Sequence, residues 1–245
     1  MKEALRFSDA KSPLDARIAR GRRELIGAFE LVYRSYLAKG YVSPHSGGII
    51  YREAFGLPAS RTVVATTESA IVLGTLTVVG DNPAGIDIEI TYPGEVRSLR
   101  EEGRDLAEIT CLAIRPTGEF ARTAVFLALT RCMIHHAYRE GFNDLLMAVH
   151  PRHYRFYRRY FRVLPLGPCR PHPFVRGNPS IGCRIDLDNL KQTVAPEMWH
   201  QYFAHPPPES DYTEPPIERA DHSYFLGRSG ITPRAEDRRW KKDAA

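Results

Sequence analysis

Apolar residues recur at helical spacing from Ile18 to Lys39, where Ile18, Leu25, Phe29, Val32, Tyr33, Tyr36 and Leu37 share a face and Gly40 offers a stop. A Gly/Pro/Ser-rich stretch from Ser43 to Ser60 follows, long enough for a loop that lines a binding site. Runs rich in Val, Ile, Leu and Thr at 61–65 and 70–79, split by Thr66-Thr67-Glu68-Ser69, predict a β-hairpin that ends at Asp81-Asn82-Pro83. Ile86, Ile88 and Ile90 alternate with Asp87, Glu89 and Thr91, the pattern of a strand with one wet face. A short helix over 94–103 precedes a strand over 106–114. A helix over 123–139 then carries Phe126, Leu129, Met133 and Ala137 on one face and ends at Gly141. The unbroken apolar run Leu145–Val149 reads as a strand buried on both faces, and Pro151 suits the first turn of the helix after it. Beyond about Gly167 the pattern weakens to a last strand over 181–185. A Pro-rich, polar arm runs from His205 to Pro216, and a charged tail runs from Arg234 to Ala245. The organisation expected is an N-terminal segment (1–17), one α/β domain (18–190) and a C-terminal arm and tail (191–245).

Composition fits this picture. The chain has 245 residues, 43% hydrophobic and 26% charged, enough to bury a sizeable core. No apolar run reaches the roughly 18 residues of a membrane span. Met1-Lys2-Glu3-Ala4-Leu5-Arg6 lacks the apolar segment of a secretory signal, so a cytoplasmic location is expected. The net charge of +5 and pI near 9.1 allow an acidic partner or merely a solvated basic surface. The positive charge is dispersed and no nucleic-acid-binding motif stands out, so no nucleic-acid partner is expected. Cys111, Cys132, Cys169 and Cys183 form no Cys-x-x-Cys pair and no zinc spacing, which reads as reduced thiols and no metal site.

Several residues carry candidate chemistry. Glu108 is a lone carboxylate in the apolar strand Leu106–Ile114, where alternation puts it on a face with Thr110, Leu112 and Ile114. An apolar setting raises a carboxyl pKa toward neutrality, fitting a general base; the alternative is a structural partner for an arginine. Arg115, Thr117, Gly118, Arg122 and Thr123 span the turn into the long helix, where backbone N–H groups and guanidinium groups favour a phosphate. Ordinary capping and surface charge would look the same. Arg152, Arg155, Arg159 and Arg162 recur at three- and four-residue spacing, a basic stripe suited to an acidic partner or to solvent. Cys111 reads as strand packing rather than a nucleophile, and His135-His136 as a helix surface and core edge rather than a metal site.

Three segments carry a family resemblance: Leu31-Val32-Tyr33-Arg34-Ser35-Tyr36-Leu37-Ala38-Lys39-Gly40-Tyr41-Val42, Leu106–Ile114, and His150-Pro151-Arg152-His153-Tyr154-Arg155-Phe156-Tyr157. In order and spacing they resemble the GNAT acyltransferases, and more narrowly the N-acyl amino acid synthases, relatives of the acyl-homoserine lactone synthases. The resemblance covers about residues 18–167. It implies a GNAT-like α/β (α+β) fold, a central mixed sheet flanked by helices. It also implies an acyl-phosphopantetheine thioester as co-substrate with no tightly bound cofactor, acyl carrier protein as donor and partner, and an amino acid as acceptor. Direct attack on the thioester would use Glu108 as base and Tyr157, seven residues beyond His150, as acid for the leaving thiolate. For Tyr157 the alternative is core packing with Tyr154 and Phe161. An apolar tunnel beside Phe29, Tyr33 and the 43–60 loop would hold the acyl chain.

The chain departs from the family pattern in three places. Cys111 stands where the central strand usually has Arg (Glu-x-x-Arg-Leu). Arg162-Val163 replaces a Gly-Phe pair. The segment 115–123 holds one glycine in place of a Gly-rich pyrophosphate loop, which suits a donor without the CoA diphosphate. The rival readings are a GNAT enzyme using acyl-CoA on another amine and a non-catalytic basic module. A lactone synthase fits less well, given Cys111 and the Leu-Val-Tyr-x-x-Tyr segment.

Overall fold

A computed structural model describes residues 14–83, 85–115 and 122–229. In chain order the elements are β1 (Asp15–Ile18), α1 (Gly21–Ala38), β2 (Ser60–Thr66), β3 (Val72–Gly80), α2 (Pro93–Glu101), β4 (Leu106–Ile114), α3 (Arg122–Glu140), β5 (Asp144–Val149), α4 (Pro151–Phe161), β6 (Leu164–His172), β7 (Asn178–Asp186), α5 (Leu190–Thr193), α6 (Pro196–Phe203) and α7 (Arg219–Ser229). The seven strands form one mixed sheet in the order β1-β2-β3-β4-β5-β7-β6. Every neighbouring pair is antiparallel except β4 and β5. Helices cover both faces. Phe126, Leu129, Met133, Met198 and Tyr202, from α3 and α6, join one core, and Leu25, Phe29, Val32, Val96 and Phe225, from α1, α2 and α7, join the other.

The predicted hairpin over 61–79 and the helices over 94–103 and 123–139 form within a residue or two of their expected limits, and Gly141 closes α3 with φ +80°. Three expectations are corrected. Ile18 belongs to an edge strand, not to the first helix. Leu14, Ala16 and Ile18 are buried beneath the α3 face, and the helix starts only at Gly21, whose φ of +73° turns the chain out of the sheet. Arg17 clamps that corner by donating to both oxygens of Glu24 at 2.6 Å.

Residues 86–90 form a 3₁₀ turn (Asp87–Ile90) rather than a strand. A strand needs a ladder partner, and here local partners take the polar groups: Glu89 accepts the Ile86 N–H at 2.8 Å and pairs with Arg100, Asp87 pairs with Arg52, and the Ile88 N–H goes to Glu108. The third correction is β6, which periodicity did not reveal. Pro165, Pro168 and Pro171 interrupt its alternation, and it is tolerated as an edge strand with two register slips against β7. Tyr92 steadies that hairpin, its hydroxyl reaching the carbonyl oxygens of Pro168 (3.0 Å) and Ser180 (2.9 Å).

The Pro-rich stretch returns along the body. Its Tyr212 carbonyl faces His136 and the Arg61 Nε–H donates to the Glu214 carbonyl at 2.8 Å. It delivers α7 to the outside of the loop between α1 and β2. There Phe225 meets Phe29 and Tyr51 with ring centroids 5.0 and 5.1 Å away, and the Tyr51 hydroxyl lies 2.6 Å from His222 Nδ1.

Candidate active site

The site begins with a parting of strands. β4 and β5 are paired only at Leu106, Ala107 and Glu108, opposite Asp144, Leu145 and Leu146. Beyond Glu108 the two strands separate, leaving the β5-facing edge of β4 without a strand partner. On the other edge of β4, a bulge at Cys111 (φ +55°) shifts the pairing with β3 from Thr77↔Thr110 to Thr75↔Ala113. The bulge also reverses faces. Cys111 and Ala113 lie with Leu106 on the α1 side, whereas Leu112 and Ile114 turn to the α3 side. The expected grouping of Glu108 with Leu112 and Ile114 is therefore corrected.

A cavity of about 900 Å³ fills the parting, at the upper end of small-molecule pockets. Glu108, Arg115, Arg122, Thr123 and Tyr157 all line it. Thr117 and Gly118 lie outside the described residues. The cavity has three regions. Its mouth, at the start of α3 and α4, holds Arg115, Arg122, Lys39, His150 and His153. Partial desolvation and the neighbouring Arg152 and Arg122 lower the Lys39 pKa; desolvation, Arg152 and Lys39 lower that of His153. Lys39, Arg115 and Arg122 gather positive charge at this end, with Arg152 near Lys39, which favours an anion. The middle is apolar, walled by Leu112, Phe126, Met133, Met147, Tyr157 and Phe161. The inner end holds Glu108, Arg52, Tyr36, His172 and Phe174.

Glu108 is 3% exposed and its Oε2 accepts the Ile88 N–H at 2.9 Å. Burial, reinforced by nearby Asp87, pushes its carboxyl up to about 8, against the opposing pull of the Ile88 N–H and Arg52. Arg52 lies beside Asp87 with the Phe174 ring 3.8 Å from its guanidinium carbon. Cys111 is buried next to Tyr36. Burial raises its thiol pKa, which keeps it protonated and unreactive. Tyr157 packs in the Phe126–Phe156–Phe161 cluster, and burial lifts its pKa to about 12. Its hydroxyl makes no hydrogen bond among the described residues.

Phe29 and Tyr33, expected beside an acyl tunnel, lie away from this cavity. Phe29 is 1% exposed inside an aromatic core with Tyr51 and Phe55, and Tyr33 stacks edge-on against His45, so neither lines the cavity. From the 43–60 loop, only Arg52 reaches it. Arg152, Arg155 and Arg159 stand exposed on α4, and Arg162 just past its end, outside the cavity, with Arg158 beside them; none pairs with a carboxylate among the described residues. Sequence reasoning missed Arg52, Tyr36, His172, Lys39 and His153. Tyr36 and Lys39 were visible in the segment 31–42, and Arg52 in a loop already marked as a binding-site wall.

The family model for the N-acyl amino acid synthase FeeM matches residues 27–186 of this chain. The chain belongs to this family. It is accordingly an acyltransferase, and the matched residues run from α1 through β7, enclosing the parted strands and the cavity. Among solved structures, the family's FeeM, an N-acyl amino acid synthase from uncultured soil microbes, superposes with a TM-score of 0.66 at 22% identity, over 76% of this chain and 96% of that one. The CoA-dependent acyl-homoserine lactone synthase BjaI, solved with MTA, gives 0.58 at 14% identity over 87% and 98%. The AHL synthase LasI gives 0.57 at 13% over 80% and 96%. These likenesses establish the GNAT-like fold. No curated protein sequence matches the chain. No helix among the described residues is long and apolar enough to cross a membrane.

Proposed function

We propose that this acyltransferase moves a long fatty acyl group from the phosphopantetheine arm of acyl carrier protein to the α-amino group of an amino acid. The observation that carries the reading is Glu108, a buried carboxyl held near neutrality at the point where β4 and β5 part, at the inner end of a cavity with an apolar middle and a cationic mouth.

The chemistry follows from that arrangement. A phosphate at the mouth would meet Arg122, Thr123, Lys39 and the start of α3, and Arg115 beside it. The amides of the pantetheine arm would lie along the open edge of β4, as an added strand would. The acyl chain would occupy the middle among Phe126, Met133, Met147 and Phe161. The acceptor amine then attacks the thioester carbonyl from the inner end. A C–N bond forms and the C–S bond breaks; Glu108 takes the amine's proton, directly or through water, and the leaving thiolate is protonated by Tyr157. Tyr157 keeps its proton at neutral pH, as an acid must. The arginine stripe on α4, close to the mouth and free of carboxylates among the described residues, would receive the acidic carrier.

Acyl-CoA is the second reading. The cluster of Lys39, Arg122 and Arg152 has charge enough for more than one phosphate, and BjaI is a CoA-dependent enzyme. The deciding experiment is mass analysis of products after incubation with long-chain acyl carrier protein or the matching acyl-CoA and a pool of amino acids. N-acyl amino acid from the carrier donor is the expected outcome. Product from acyl-CoA alone would replace the donor, and no product from either would overturn the assignment.

A further inference from the structure

We propose that Arg52, together with His172, forms a carboxylate subsite that restricts the acceptor to free α-amino acids and rejects the corresponding simple amines. The inference rests on the reading of the inner cavity as the acceptor chamber and adds the residues that select what enters it.

The argument starts from donors left over. A guanidinium carries five N–H donors in a fixed fork. Among the described residues only Asp87 accepts from Arg52, and it does so through Nη1. The side chain is 14% exposed, with Phe174 covering one face of the guanidinium, and the exposure that remains is to the cavity. Nε and Nη2 make no hydrogen bond to the described residues and are available to a ligand in the cavity. The planar fork of a guanidinium matches a carboxylate.

His172 supplies a second donor. Its Nδ1 accepts the Phe174 N–H at 3.3 Å, which leaves the ring proton on Nε2. Burial and the adjacent Arg52 keep the ring neutral at physiological pH. The ring lines the same cavity. Arg52 is close enough to feel the charge of both Glu108 and Asp87. An α-amino acid bears its amine and carboxylate on one carbon, so a carboxylate held at Arg52 delivers the amine toward Glu108. An amine without a carboxylate would forgo the Arg52 and His172 hydrogen bonds, and a site built to hydrogen-bond a substrate group discriminates against an analogue that lacks it.

The test uses the full-length protein with a long-chain acyl donor and matched acceptors: leucine against 3-methylbutylamine, and phenylalanine against 2-phenylethylamine. The wild type is expected to prefer each amino acid in kcat/KM by about 10²-fold. In Arg52→Gln that preference collapses below about 10-fold, through a raised acceptor KM with the donor KM unchanged. Because both acceptors in a pair share Glu108, the ratio is insensitive to any change in the base. Arg52→Gln/Asp87→Asn removes the carboxylate that the single variant would strand, and must give the same collapsed ratio. If neither variant folds, the wild-type ratio decides. Equal use of amines and amino acids by the wild type, or an unchanged preference in folded Arg52→Gln, overturns the subsite. Absence of any N-acyl product from either donor overturns the acyl-transfer reading itself and the subsite with it.

Discussion

At neutral pH Glu108 holds a proton that an ordinary carboxyl, with a pKa of 4.5, would have lost. Between 4.5 and about 8 the unfolded chain releases this proton while the native state keeps it. The contribution of Glu108 to stability is thus full below 4.5, falls as pH rises through that window and is flat above it. With Glu108 as the proposed base, catalysis has the opposite slope, since only the carboxylate accepts a proton, so kcat/KM should rise toward an apparent pKa near 8. Glu108→Gln is expected to lower kcat by roughly 10²–10⁴-fold, erase that limb and melt higher than the wild type at pH 8. Normal turnover of Glu108→Gln at neutral pH would sink its role as base. Tyr157→Phe separates acid from packing: the acid role predicts a kcat loss of about 10-fold or more with an unchanged melting temperature, and an unchanged kcat would reduce Tyr157 to packing. Glu108 was legible because one carboxylate in an apolar strand demands a reason. Of Arg52 only its loop was legible, and of His172 nothing, because that loop and a Pro-rich edge hairpin bring them to the cavity and nothing in local spacing records that meeting.

The same division holds for the elements. Where one periodicity runs unbroken, as in α3 and β5, pattern and structure agree. Where a single residue resets the period, they part. The Cys111 bulge moves Leu112 and Ile114 to the face opposite the one alternation gives them, since a one-residue slip exchanges the faces of a strand. Close backbone approaches were equally hidden. A Cβ on Gly182 would stand 2.9 Å from the Tyr92 ring, and one on Gly74 would stand 2.5 Å from Val125 Cγ1 beneath α3. Gly182→Ala and Gly74→Ala should each destabilise by about 1–3 kcal/mol in chemical denaturation. Gly94→Ala on α2, where a Cβ meets nothing within 4 Å, should change stability by less than about 1 kcal/mol. Equal effects at all three positions would contradict the packing described for Tyr92 and α3.

Across the whole molecule, charge and connectivity serve the same cavity from outside. The exposed arginines of α4 flank its mouth, so Arg155→Glu/Arg159→Glu should raise the KM for acyl carrier protein about 10-fold or more, and more steeply at low salt, while leaving the KM for acyl-pantetheine unchanged. A parallel rise for the small donor would move these residues from docking to general stability. Behind the cavity, α7 grips the loop that carries Arg52. Tyr51, the residue next to it, meets His222 across 171 positions of sequence, and Phe225 seals the contact. This link has a consequence in time. During synthesis the sheet and its other helices leave the ribosome before α7 does. The Arg52 loop, the wall of the proposed acceptor chamber, therefore gains its outer support only when nearly all of the described chain has emerged, and a nascent chain stalled before residue 219 would carry Glu108 and the parted strands without that brace.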